Sequence, residues 1–192
     1  MKTANRRSIG LFGGSFNPAH GGHLHVARAG LRQLQLDEIW WLVSPQNPLK
    51  PSQPSWESRA QTIRNLPLPP KMRVSDIELR YQTQYTADLL IRLTQRHQNM
   101  DFVFMMGADN LLQLPKWKNW QKIVETVPIA VIARPGSPIR ARLGQAARQY
   151  SDHRIGESHA HTLKTRPAPA WSYLTLPLDP QSSSAIRAKR SG

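Results

Sequence analysis

The sequence predicts a doubly wound α/β protein, a parallel sheet with helices on both faces. Short apolar runs at residues 8–12, 39–43, 101–107 and 128–133 alternate with stretches of helical periodicity. Helices of about ten residues or more between strands are the crossovers that parallel strands require. The run "DFVFMMG" is continuously apolar rather than alternating, as a strand buried on both faces must be. Glycine or proline closes the runs, at Gly13, Pro45, Gly107 and Pro135.

Residues 8–12 form the first strand. From Gly22, Leu24, Ala27, Leu31 and Leu34 recur at helical spacing, so a helix runs to about residue 35. Residues 39–43 are the second strand, ending in the proline-rich "PQNPLKPSQP", where Asn47-Pro48 favours a turn. Residues 56–66 are helical and 72–77 a short strand. Residues 85–97 are helical with Leu89, Leu90 and Leu93 on the apolar side, and 101–107 form a central strand. A helical stretch follows to about residue 126, interrupted at Pro115. "PIAVIARPG" is a buried strand with a hard stop, 139–149 are helical, and 153–170 are loop-like. "SYLTL" is the last strand, and a helix begins at Ser182. The 192 residues contain no internal repeat or linker, so a single domain over residues 1–192 is expected.

There is no cysteine, which excludes disulfides and thiolate chemistry. Residues 9–12 are too short an apolar run for a secretory signal, and no stretch approaches the ~20 apolar residues of a membrane span. A cytoplasmic protein without a membrane partner is expected. The formal charge of +14 comes from scattered Lys and Arg, with no long basic tract and no interleaved aromatic platform. That pattern suits small anionic ligands better than nucleic acid.

Parallel sheets bind ligands at the C-terminal ends of their strands. The loops at 13–23, 44–50, 107–109 and 134–136 all follow predicted strands and therefore share one rim. The first is the most unusual: "LFGGSFNPAHGGHLHVA", residues 11–27, holds four glycines and three histidines. Strand, glycines and helix come in the order of a phosphate site, because a helix N-terminus offers unpaired N–H groups and about half a positive charge. His20 lies just before the helix and His23 in its first turn, where both can face one anion. His25 points elsewhere. A metal pair would lack an obvious third ligand.

The tail "SSSAIRAKR" places Ser182 to Ser184 as N-caps and Arg187 one turn on. It fits a second anion site or an ordinary capped helix equally well. Asn47 and Lys50 sit on a strand-end loop, and Asp109 at another strand end suits a ribose hydroxyl or a helix cap. Trp117 and Trp120 are three apart on a helix. Spacing alone favours the core for both, with stacking on a ligand ring as the other reading. The phosphate loop GxxxxGK[ST] and the fingerprint GxGxxG are absent, and no Ser/His/Asp relay stands out.

Taken together, these segments resemble a known family. "GGSFNPAHGGH" resembles the G-x-F-[DN]-P-x-H-x-G-H signature of a nucleotidyltransferase superfamily with a Rossmann-like fold, and "SSSAIR" its C-terminal [ST]-x-x-I-R element. "QYTADLL", "GADNLLQLPKW" and "IARPG", in that order, are similar to bacterial nicotinate-mononucleotide adenylyltransferases. The resemblance implies adenylyl transfer from ATP to nicotinate mononucleotide, with Mg²⁺ carried mainly on the ATP phosphates. It implies catalytic roles for His20, His23 and Arg187, and ATP contacts from Gly13, Gly14, Ser15, Asp109, Arg134, Ser183 and Ser184. It places Asn47, Lys50, Tyr85, Thr86 and Trp117 around the mononucleotide, with Lys118 as an addition. Position 17 is Asn where many relatives carry Asp.

Two alternatives stand beside it. Another adenylyl- or cytidylyltransferase of the superfamily, such as one acting on phosphopantetheine, would have no pyridine ring for the "YT" and "PKW" elements to hold. A basic nucleic-acid-binding protein gives no reason for "HGGH" and "SSSAIR" to occur together. Homo-oligomerisation is open on sequence grounds.

Overall fold

The computed structural model describes residues 6–44, 53–133 and 139–176. Its chain runs β1 (Arg7–Gly14), α1 (Gly21–Gln33), β2 (Glu38–Val43), α2 (Trp56–Arg64), β3 (Met72–Ser75), α3 (Ile77–Arg80), α4 (Thr86–Arg96) and β4 (Met100–Gly107). It continues through α5 (Ala108–Gln113), α6 (Trp120–Thr126), β5 (Ile129–Ala133), α7 (Gln145–Gln149), β6 (Arg154–Ile155) and β7 (Trp171–Thr175). The strands make one seven-stranded sheet in the order β3-β2-β1-β4-β5-β7-β6. All pairings are parallel, as the crossovers require.

Alternation along the strands sorts the core into two layers. Trp40, Leu42, Phe102, Phe104 and Met106 meet Leu89, Leu90 and Leu93 of α4 and Ile123 and Val124 of α6. Ile39, Trp41, Val43, Val103 and Met105 meet Leu24 and Ala27 of α1 and Ala60 and Ile63 of α2. Helices therefore cover both faces. On the second face, α1 lies very close to the sheet at Gly30, where a Cβ would collide with the Met105 methyl. Gly10 of β1 is crowded by the same Met105, whose sulfur would stand 2.7 Å from a Cβ there.

The chain winds outward from β1 to β3, then returns to β4 beside β1 and winds the other way. The reversal puts a topological switch between β1 and β4, and the crevice beyond their C-terminal ends is where such sheets take ligands.

Several boundaries differ from expectation. The expected strand at 72–77 stops at Ser75, and Ile77 instead opens α3, tucking its side chain under the sheet. The helical stretch after β4 breaks into α5, a 3-10 turn at Leu114–Lys116 built on Pro115, and α6. Residues 139–149 hold a 3-10 turn, Ile139–Leu143, before the short α7. The segment expected as loop contains the edge strand β6 and a 3-10 stretch, Glu157–Thr165, whose Ala160 and Leu163 are buried. The expected helix from Ser182 lies outside the described residues. No helix among the described residues is long and apolar enough to cross a membrane.

Candidate active site

β1 delivers Gly13 and Gly14 to the centre of the rim. A Cβ on Gly13 would stand 2.9 Å from the Phe104 ring, and one on Gly14 2.9 Å from the Phe16 ring, so neither position has room for a side chain. The chain then turns sharply. Phe16 takes a left-handed backbone conformation, φ 46°, and the Asn17–Pro18 peptide is cis. The Phe16 ring is buried against Phe12 and Trp41, with centroids 5.3 and 5.1 Å away, and this aromatic plug offsets the ~1 kcal/mol of left-handed strain.

The turn ends at His20, the N-cap of α1 and 4% exposed. Its Nδ1 accepts from the Gly22 backbone N–H at 3.1 Å, so a neutral ring carries its proton on Nε2. The His20 carbonyl accepts from the His23 N–H at 3.0 Å, which starts the helix and sets His23 in its first turn. The two imidazole centroids are 4.0 Å apart, and the Phe16 ring edges His23 at 5.2 Å. The first turn of this 13-residue helix holds no acidic residue of its own, so no carboxylate of that turn competes with an anion for the positive end of the helix dipole. The arrangement anticipated from sequence is thus present: two imidazoles side by side, at a helix N-terminus, at the switch point, beside two bare glycines.

The underside of this loop is held by residues that the sequence reading missed. Arg59 of α2 is 1% exposed. It donates to the Ser15 carbonyl at 2.8 Å, the Ser44 carbonyl at 2.8 Å and the Pro54 carbonyl at 3.0 Å. One turn on, the Thr62 hydroxyl accepts from the Ala19 N–H at 2.9 Å while donating to the Arg59 carbonyl at 2.6 Å. The Trp56 indole N–H donates to the Val43 carbonyl at 2.9 Å. A signal existed: Arg59 falls on the same helical stripe as Ala60 and Ile63, where an unsupported charge would be costly. Glu78 of α3 is buried as well. Burial pushes its carboxyl up to about 8, although the Arg59 charge pulls the other way.

Further along the rim, Tyr85 is the N-cap of α4 and Thr86 its first residue. The 117–118 corner comes to meet them: the Lys118 ammonium stands 4.4 Å from the centre of the Tyr85 ring. The two tryptophans differ in burial. Trp120 is core, with Tyr150 edge-on at 5.9 Å, while Trp117 is half-buried and packs against the same core. Asp109 stands exposed in the first turn of α5, its carboxylate folded back over Gly107. Asn47, Lys50, Arg134, Ser183, Ser184 and Arg187 lie outside the described residues. The strand ends that lead into two of their loops, Val43 and Ala133, stand on the same rim. Among the described residues there is no group of three side chains able to hold a metal ion.

Comparison with known proteins agrees with this geometry. The cytidylyltransferase-like family model matches residues 11–189. The chain is 46% identical over 183 residues to a protein of Ruegeria sp. (strain TM1040) named "Probable nicotinate-nucleotide adenylyltransferase", covering 95% of this chain and 97% of the relative. A protein of the same name from Parvibaculum lavamentivorans is 49% identical over 183 residues, with 94% and 91% covered. The nicotinic acid mononucleotide adenylyltransferase of Plasmodium falciparum, solved with NaAD, superposes with a TM-score of 0.70 over 95% of this chain and 83% of that one. At 21% identity that likeness speaks for the fold.

Proposed function

We propose a reaction for this chain from the family it belongs to: it is a member of the cytidylyltransferase-like family and, within it, of the nicotinate-nucleotide adenylyltransferases. The reaction is adenylyl transfer from ATP to nicotinate mononucleotide, giving nicotinate adenine dinucleotide and pyrophosphate, a step in making NAD. A phosphate oxygen of the mononucleotide attacks the α-phosphorus of ATP. The new P–O bond forms as the bond to pyrophosphate breaks, and the leaving group carries away the negative charge. With a second phosphate pKa of about 6, the attacking monoester is already mostly a dianion, so the site needs no base to activate it. Catalysis then rests on positioning and on neutralising charge.

The observation that carries this reading is the His20–His23 pair at the N-terminus of α1, its ring centroids 4.0 Å apart, just past the glycines of β1. His20, its Nδ1 tied to Gly22, would donate from Nε2 to the triphosphate, and His23 would lie nearest the transferred phosphorus. Gly13, Gly14 and Ser15 would let the nucleotide lie against the backbone, with Asp109 and Arg134 beside its nucleoside. Ser183, Ser184 and Arg187 would hold the β- and γ-phosphates and the departing pyrophosphate.

On the far side, Tyr85, Thr86 and Trp117 would frame the nicotinate ring, with Asn47 and Lys50 along the mononucleotide. The Tyr85 side chain makes no capping bond to α4, and the first N–H groups of that helix would receive the ring carboxylate. Mg²⁺ belongs here with ATP. Imidazoles and backbone N–H groups suit phosphate oxygens rather than a hard cation, so the ion would ride on the phosphates and supply further charge neutralisation.

The test follows the label of ATP marked at the α-phosphate. Incubated with Mg²⁺ and nicotinate mononucleotide, the protein should move that label into nicotinate adenine dinucleotide, with one pyrophosphate released per dinucleotide. Label left in ATP, or passed to water as AMP, would overturn the proposal.

A further inference from the structure

α2 does more than cover the sheet. We propose that Arg59, seconded by Thr62, is a positioning residue for the transfer step, clamping the phosphate loop and the mononucleotide loop to one rigid helix so that the two substrates meet in line. The inference rests on the adenylyl-transfer reading above and adds the device that aligns its two halves.

The geometry carries it. The guanidinium spends its N–H groups on carbonyls of three separate segments: Ser15 just past β1, Ser44 just past β2, and Pro54 ahead of α2 itself. Ser15 is the first residue after the glycines that would face ATP. Ser44 is the last described residue before the loop that holds Asn47 and Lys50. Its own N–H donates to the Gly14 carbonyl at 3.1 Å, so the two loop roots are already neighbours, and Arg59 ties both from below. Thr62 holds the other end of the phosphate turn through Ala19, the residue before His20.

The turn between these anchors contains the left-handed Phe16, so it needs support at both ends to keep one shape. Arginine suits the task because its planar fork donates in several fixed directions at once, whereas a lysine concentrates its donors on one atom. Arg59 does not reach the reacting phosphates in this account. Its effect travels through the backbone carbonyls of Ser15, Ser44 and Pro54.

The experiment compares Arg59→Lys and Thr62→Val with Gln61→Ala. Gln61 sits on the exposed side of the same helix, and its side-chain amide donates along it to Asn65. Steady-state pyrophosphate release from ATP, Mg²⁺ and nicotinate mononucleotide is measured at a temperature where circular dichroism shows each variant fully folded. A slack clamp lowers kcat by about tenfold to a hundredfold in both variants, while KM for either substrate moves by less than about threefold, because misalignment costs more in the transition state than in the ground state. Gln61→Ala keeps the unsubstituted kcat.

Unchanged kcat with only a lower melting temperature would overturn the proposal, and so would a rise confined to KM. Should Arg59→Lys not fold, Thr62→Val decides, since it loosens the same loop with a nearly isosteric side chain. A silent unsubstituted protein would instead overturn the adenylyl-transfer reading, so the two failures are distinguishable.

Discussion

Glu78 offers the sharpest physical test of the packing beneath the rim. Its carboxyl is buried beside a buried guanidinium, and two effects compete. Burial disfavours the charged form, and the Arg59 charge favours it. Burial wins, lifting the pKa from its ordinary 4.5 to about 8. Folding therefore takes up a proton wherever the unfolded chain is ionised and the folded one is not. The sign follows: stability is greatest below the unfolded pKa and is lost as pH rises towards the folded one.

The span from 4.5 to about 8 covers roughly 3.5 pH units at about 1.4 kcal/mol each, an upper figure of about 5 kcal/mol. Glu78→Gln keeps the shape and removes the proton. Urea unfolding of both proteins at half-unit steps from pH 5 to 8.5 isolates the effect, because every other ionisable group is common to both and cancels in the difference. At pH 5 the two should agree within about 1 kcal/mol, and by pH 8.5 the Gln variant should be ahead by several, up to about 5 kcal/mol. Parallel curves, or a Gln variant that falls behind as pH rises, would mean the carboxylate is ionised and the pair with Arg59 outweighs burial. The account of this corner would then be wrong.

Other perturbations probe the site itself. His23→Ala should lower turnover by about a hundredfold to a thousandfold, the scale of losing a charge-stabilising donor, while circular dichroism stays unchanged. Trp117→Ala should leave kcat near its original value and raise KM for the mononucleotide by about three- to tenfold, as loss of an aromatic contact of about 1 kcal/mol implies. Phe16→Ala removes the plug between Phe12 and Trp41, and denaturant melts should show a loss of about 3–5 kcal/mol. A full-activity His23→Ala protein would contradict the phosphate reading of the first loop.

The elements that were legible in the sequence share one property: their signal is local. β1, β2, β4 and β5 each carry an unbroken apolar run, at 9–12, 39–43, 102–106 and 129–133, because both faces are covered there. α1 and α4 show the helical spacing of Leu24, Ala27, Leu31 and of Leu89, Leu90, Leu93. His20 and His23 were readable because glycines, turn and helix start lie within one short segment. What stayed hidden depends on partners distant in the chain. Arg59 is 44 residues from Ser15, and nothing near it in sequence says that its charge finds three carbonyls. Ile77 looked like the end of a strand, yet its side chain is better buried as the start of α3. The 3-10 stretch at Glu157–Thr165 hides two buried residues, Ala160 and Leu163, in a polar segment with too short a periodicity to show. Trp117 and Trp120 could be told apart only by packing, which buries Trp120 fully and Trp117 in part.

The most direct test of the central claim measures initial rates of pyrophosphate release from ATP and Mg²⁺ with nicotinate mononucleotide, nicotinamide mononucleotide and phosphopantetheine in parallel. Fast release with nicotinate mononucleotide, much slower release with the amide and none with phosphopantetheine is the predicted result if, as proposed, the N–H groups that open α4 receive a ring carboxylate. Equal rates with acid and amide would contradict the specificity at Thr86 and Trp117. Release with phosphopantetheine alone would contradict the assignment of the acceptor altogether.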